Sequence, residues 1–131
     1  MRYEERIGLA VVDDVNDINL MVEEFARQQQ LLTKFMVHGF LSGRSFLNAI
    51  KASPAEYAGA VMDFELGERL SGAQIAELAR EYNPSLKIIV CTGYPQNYKK
   101  FAALNPELII PKHNLYPMLH CIFDLLLNSR N

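Results

Sequence analysis

Five polar side chains in this sequence stand where short apolar runs stop. Asp13 and Asp14 follow residues 7–12, Asp63 follows 58–62, Thr92 follows 86–91, and Lys112 comes just past 108–110 and Pro111. If they meet, three carboxylates, a hydroxyl and an ammonium share one small volume. Two carboxylates ~4–5 Å apart repel by roughly 3–4 kcal/mol at an effective dielectric near 20. Three cannot all stay ionised in a dry cleft without a counter-charge. Lys112 brings one positive charge, and a divalent cation would bring the rest. Oxygen donors favour a hard ion, and a site with few protein ligands that keeps several waters suits Mg2+ better than Ca2+. A hard cation, a lysine, a hydroxyl and a free carboxylate are equipped for phosphoryl transfer, the positive groups neutralising phosphoryl oxygens while the carboxylate attacks.

Whether these groups meet depends on the elements between them. Residues 7–12 are apolar on both faces and read as a buried strand. Over 16–29 the apolar residues Ile18, Met21, Val22, Phe25 and Ala26 recur at three and four, as one helix face requires. A weaker strand is expected at 35–37, then a helix over 42–52 that stops before Ser53-Pro54. Residues 58–62 form a third strand. Ser71-Gly72-Ala73-Gln74 has the form of a capping box for a helix with Ile75, Leu78, Ala79 and Tyr82 inward, stopped by Asn83-Pro84. The strand at 86–91 is the clearest in the chain. A poorly patterned helix follows at 96–104, then a strand at 108–110. The last helix spans 114–127 and turns Leu115, Met118, Leu119, Ile122, Phe123 and Leu126 to one side; Pro117 is tolerated in its first turn.

Five strands alternating with five helices predict an α/β chain with a parallel sheet covered on both faces. With right-handed crossovers the doubly wound, flavodoxin-like strand order 2-1-3-4-5 is expected. Ligands of such sheets sit beyond the carboxyl ends of the strands, where the order reverses between strands one and three. Every one of the five polar residues falls at that edge. The helix beginning near Asn16 also points its positive end there.

Composition narrows the function. The 131 residues suit one domain; half are hydrophobic, 21% are charged, and the formal net charge is −2. So mild an acidic balance argues against nucleic-acid binding, which needs a concentrated basic face. No apolar run reaches the ~18–20 residues that span a bilayer, and the charged start lacks a signal peptide's apolar middle. Cys91 and Cys121 match no metal or redox spacing. A cytoplasmic setting without membrane contact is expected. No glycine-rich phosphate loop follows any strand, which argues against a nucleotide-binding module. His38, His113 and His120 show no ligand spacing and read as surface or locally satisfied residues.

Val11-Val12-Asp13-Asp14, a lone aspartate ending the third strand, then Thr92, then Lys112, resembles a CheY-like receiver domain of the two-component response regulator family. The likeness runs from about residue 6 to 127, so that 1–131 reads as a single receiver domain. The resemblance implies that Asp63 is the phosphoacceptor, taking a phosphoryl group from the phosphohistidine of a sensor histidine kinase or phosphotransfer protein. It implies Mg2+ held by Asp14 and Asp63, by Asp13 mainly through water, and by the backbone carbonyl of Glu65. Thr92 would hydrogen-bond a phosphoryl oxygen, Lys112 would pair with Asp63 and then with the phosphate, and Gly93 would leave room for it. The implied product is a phosphorylation switch, not a turnover enzyme beyond Mg-dependent self-phosphorylation and self-dephosphorylation. Its output would be a downstream protein target or a homodimer, bound through the face of the fourth helix, fifth strand and fifth helix.

Four positions depart from the family pattern. His113 follows the lysine where a proline is common, while Pro111 precedes it. Ile109 stands at the usual aromatic position, so either an inward-rotating ring comes from Tyr94 or Tyr98 or the coupling is weak. Leu66-Gly67 replaces leucine-proline, and Gly72 falls one residue later than usual. Glu65 and Tyr94 flank the acceptor, where an anion and a bulky ring would hinder the hydrolytic water and slow dephosphorylation. The alternative is a receiver-like adaptor that binds partners without phosphorylation. An aspartate-nucleophile phosphohydrolase of the haloacid dehalogenase type is disfavoured by order: the acidic pair comes first here, and Asp63-Phe64-Glu65 lacks the second aspartate.

Overall fold

The computed structural model describes residues 6–65, 70–94 and 101–128. Strand β1, Ile7–Val12, is buried at all six positions and so must be covered on both faces. Strands β2 (Phe35–Phe40), β3 (Gly59–Asp63), β4 (Lys87–Thr92) and β5 (Leu108–Pro111) complete a five-stranded, all-parallel sheet in the order β2-β1-β3-β4-β5. Four helices accompany them among the described residues: α1 (Asp17–Gln28), α2 (Gly43–Ala52), α3 (Gly72–Tyr82) and α4 (Leu115–Asn128), the last entered through a 3₁₀ turn at Lys112–Asn114. This is the doubly wound, flavodoxin-like arrangement expected from the sequence. The helix expected at 96–104 lies mostly outside the described residues; its end at 101–102 is helical.

Alternation along the strands divides the core in two. Leu9, Val11, Val61, Ile89 and Ile110 face α1 and α4, meeting Val22, Phe25, Leu119 and Phe123. Ala10, Val12, Met62 and Val90 face the other way, against Phe46 and Ile50 of α2 and Ile75 and Ala79 of α3. The helix starts are local. Ser42 Oγ accepts from Ser45 N at 3.1 Å, and Ser71 with Gln74 forms the reciprocal capping box.

Two features differ from expectation. Strand β2 runs three residues further than 35–37, because an edge strand paired only with β1 can carry the exposed His38. That imidazole is locally satisfied: Nδ1 lies 2.5 Å from Tyr57 Oη and the ring stacks on Phe40. The 3₁₀ turn delays the last helix to Leu115 and gives Lys112 its own backbone setting. At the opposite end of the sheet Gly8 is needed for close approach, since a Cβ there would lie 2.1 Å from the Glu56 carbonyl oxygen. Register then sets the site: Asp63 pairs with Cys91, and Thr92 with Pro111, so β3, β4 and β5 end level with one another. None of the described helices is long and apolar enough to cross a membrane.

Candidate functional site

Strand β1 runs out into Asp13, which is buried, and Asp14, which is exposed; β3 ends in Asp63, only 2% exposed. One carboxylate oxygen from each lies within 4.8 Å of the others. Asp13 is pinned by backbone: its Oδ2 accepts from Ile18 N at 2.7 Å and its Oδ1 from Val15 N at 3.3 Å. It thereby caps α1, a duty that the left-handed Asn16 leaves undone. With both oxygens engaged by amides, Asp13 suits contact with a cation through water better than direct ligation.

Lys112 completes the cluster. Its Nζ lies 3.0 Å from Asp63 Oδ1 and 3.5 Å from Glu65 Oε1, with the lysine side chain 38% exposed. Although histidine rather than proline follows it, the 3₁₀ turn aims the lysine inward. Burial raises the Asp63 pKa above its ordinary value, and the charge of Glu65 adds to this; the Glu65 amide and Lys112 pull the other way without cancelling it. Burial pulls Lys112 downward, but the hydrogen bond and charge of Asp63, with Glu65, outweigh it and hold the ammonium above its ordinary value. Asp63 thus reports chiefly its burial, and Lys112 the carboxylates beside it.

Thr92, fully buried at the end of β4, is aimed by two neighbours. Its Oγ1 accepts from Tyr94 N at 3.0 Å and donates to Glu65 Oε2 at 2.8 Å. Glu65 Oε1 accepts in turn from Gly93 N at 2.5 Å. Among the described residues, a Cβ at Gly93 would meet that Oε1, at 3.4 Å. The reach of the Glu65 carboxylate across to β4 and Lys112 was not part of the sequence reading, which gave this residue a backbone carbonyl and a screening charge. Its parity with Asp63, two residues earlier, was the available signal. Tyr94 is 54% exposed. Ile109 packs half-buried against the α2–α3 side of the core, and His113 is exposed. Leu66, Gly67 and Tyr98 lie outside the described residues.

The donor set tests whether a cation fits. The clustered ligands are all carboxylate oxygens, with no thiolate or imidazole among them, and among the described residues Lys112 is the ammonium paired with Asp63 and Glu65 beside them. Such a site suits a hard divalent ion, with water completing its shell.

No protein-family model and no curated protein matches this sequence. Solved structures do match it. The BeF3-activated receiver domain of DrrB is 25% identical, with a TM-score of 0.77 over 94% of this chain and 98% of that one. A response regulator receiver protein from Sinorhizobium medicae is also 25% identical, with a TM-score of 0.77 over 97% of this chain and 98% of that one. TrrA, a response regulator protein from Thermotoga maritima solved in complex with Mg2+-BeF, is similar in fold at 20% identity, with a TM-score of 0.73 over 92% of this chain and 98% of that one. In fold, over nearly its whole length, this chain matches response-regulator receiver domains, CheY-like ones among them.

Proposed function

We propose that the chain is a phosphoacceptor receiver of a two-component system, with Asp63 taking a phosphoryl group from a kinase or phosphotransfer-protein phosphohistidine. The observation that carries this reading is the Lys112–Asp63 contact of 3.0 Å beside the clustered Asp13 and Asp14. An Asp63 oxygen attacks phosphorus, the phosphorus–nitrogen bond breaks, and its electron pair returns to the histidine nitrogen, leaving an acyl phosphate on Asp63. Lys112 holds the attacking carboxylate and then the added charge. The hydroxyl of Thr92 and the amide of Gly93 are donors within the same cleft. Asp13, Asp14, Asp63 and the backbone carbonyl of Glu65 are the groups that would hold Mg2+, which when bound neutralises phosphoryl oxygens.

On this reading the protein is a cytoplasmic switch rather than a turnover enzyme, and it signals through contacts with another protein or a second copy of itself. Incubation with acetyl phosphate and Mg2+ tests it: intact mass should rise by about 80 Da, and Asp63→Asn should abolish the gain. A second reading, an adaptor that works unphosphorylated, is favoured by one observation, the Glu65 carboxylate already seated on Thr92 and Gly93. Absence of the mass gain with partner binding intact would favour the adaptor.

A further inference from the structure

Three donors from different parts of the chain converge on one carboxylate: the Thr92 hydroxyl at 2.8 Å, the Gly93 amide at 2.5 Å and the Lys112 ammonium at 3.5 Å all face Glu65. A hydroxyl, a backbone amide and an ammonium are what an oxyanion attached to Asp63 would itself require. We infer that Glu65 is a built-in surrogate for the phosphoryl group, occupying its donors until phosphorylation expels the carboxylate. This rests on the phosphoacceptor reading of Asp63.

Proton bookkeeping makes the competition one-for-one. Thr92 has a single hydroxyl proton, and because its oxygen accepts from Tyr94 N, that proton is committed to Glu65. The Gly93 amide likewise has one hydrogen, committed to the same carboxylate. A phosphoryl oxygen on Asp63 gains either donor only when Glu65 lets it go. The Glu65 side chain is 26% exposed, so the carboxylate has a way out to solvent. Thr92, by contrast, is fully buried and would lose its acceptor if Glu65 left with nothing in its place. The donors therefore stay assembled in both states, and phosphorylation exchanges one anion for another. Glu65 thereby specifies how tightly the site takes a phosphoryl group.

The test uses the full chain and BeF3− with Mg2+ as the phosphoryl analogue, followed by 19F resonance titration, with the Gly93 amide proton as a direct reporter. Removing the competing charge-assisted contacts in Glu65→Ala should tighten BeF3− binding about tenfold, with Glu65→Gln between the two. The Gly93 amide should move upfield in Glu65→Ala and return downfield when BeF3− binds. Equal affinities, or a Gly93 amide indifferent to the substitution, would overturn the surrogate while leaving the phosphoacceptor reading standing. No BeF3− adduct on wild type or variant would overturn the phosphoacceptor reading and the surrogate with it. An Asp63→Asn control should show no adduct.

Discussion

The ammonium of Lys112 lies 3.0 Å from Asp63 Oδ1, although β4 lies between β3, which ends in Asp63, and β5, which leads into Lys112. The contact bridges the carboxyl edge of the sheet and matches the buried aspartate with the cleft's one described cation.

Lys112→Ala leaves Asp63 buried among like charges. It should destabilise the protein by roughly 1–3 kcal/mol, below the full cost of a buried pair because the lysine is partly exposed. Urea denaturation in metal-free buffer measures this. The rate of mass gain from acetyl phosphate should also fall at least about tenfold.

Asp63→Asn should do the opposite to stability. The folded state raises the Asp63 pKa above its ordinary 3.8, so the folded chain holds that proton more tightly than the unfolded chain does. Stability from this group is therefore present at acid pH and lost as pH rises through the raised value. In metal-free buffer at neutral pH the neutral asparagine should gain roughly 1–3 kcal/mol by removing a buried charge and, secondarily, its repulsion with Glu65. The gain should shrink toward about pH 4. A gain that stays constant with pH would contradict the assignment.

Mg2+ should stabilise wild type. At about ten times the dissociation constant the expected increment is about 1.4 kcal/mol, read as a rise in Tm that EDTA reverses. Asp63→Asn and Asp14→Asn should each weaken the response, whereas Asp13→Asn should weaken it less at the metal and more at α1, whose first amides Asp13 caps.

Arg80 offers a stability test away from the acidic cleft. Its guanidinium donates to the carbonyls of Leu86, Leu104 and Asn105 and to Glu107, tying α3 to the chain entering β4 and to the chain entering β5. Arg80→Ala should cost about 2–3 kcal/mol in urea denaturation and leave the Mg2+ increment unchanged.

The elements legible in the sequence were those where one physical demand dominates. β1 and β4 are apolar on both faces because helices cover both, and the capping box at Ser71 announces α3 by spacing alone. The second half of β2 was not legible, because backbone pairing to β1 holds His38 and Gly39 in the strand without help from burial. The positions of Asp13, Asp14, Asp63, Thr92 and Lys112 could be inferred because parallel strands must end together. Capping of the next helix is an ordinary duty for loop carboxylates such as Asp13 and Asp14, and Asp13 performs it beside its place in the cleft. The grip of Glu65 on Thr92 could not be inferred, because it depends on a side-chain conformation that no periodicity encodes.

The shortest strand of the sheet is clamped twice. At its start the Glu107 carboxylate accepts from Ile88 N at 2.9 Å and pairs with Arg80 at 3.1 Å; at its end Lys112 is bound to Asp63. The first anchor owes nothing to the acidic cleft and stays put when the charge on Asp63 changes. Of the two anchors it is the second that involves Asp63. Lys112 stands at the head of the turn that leads into α4, so a change of charge on Asp63 bears on that turn and leaves the Glu107 anchor's own partners untouched.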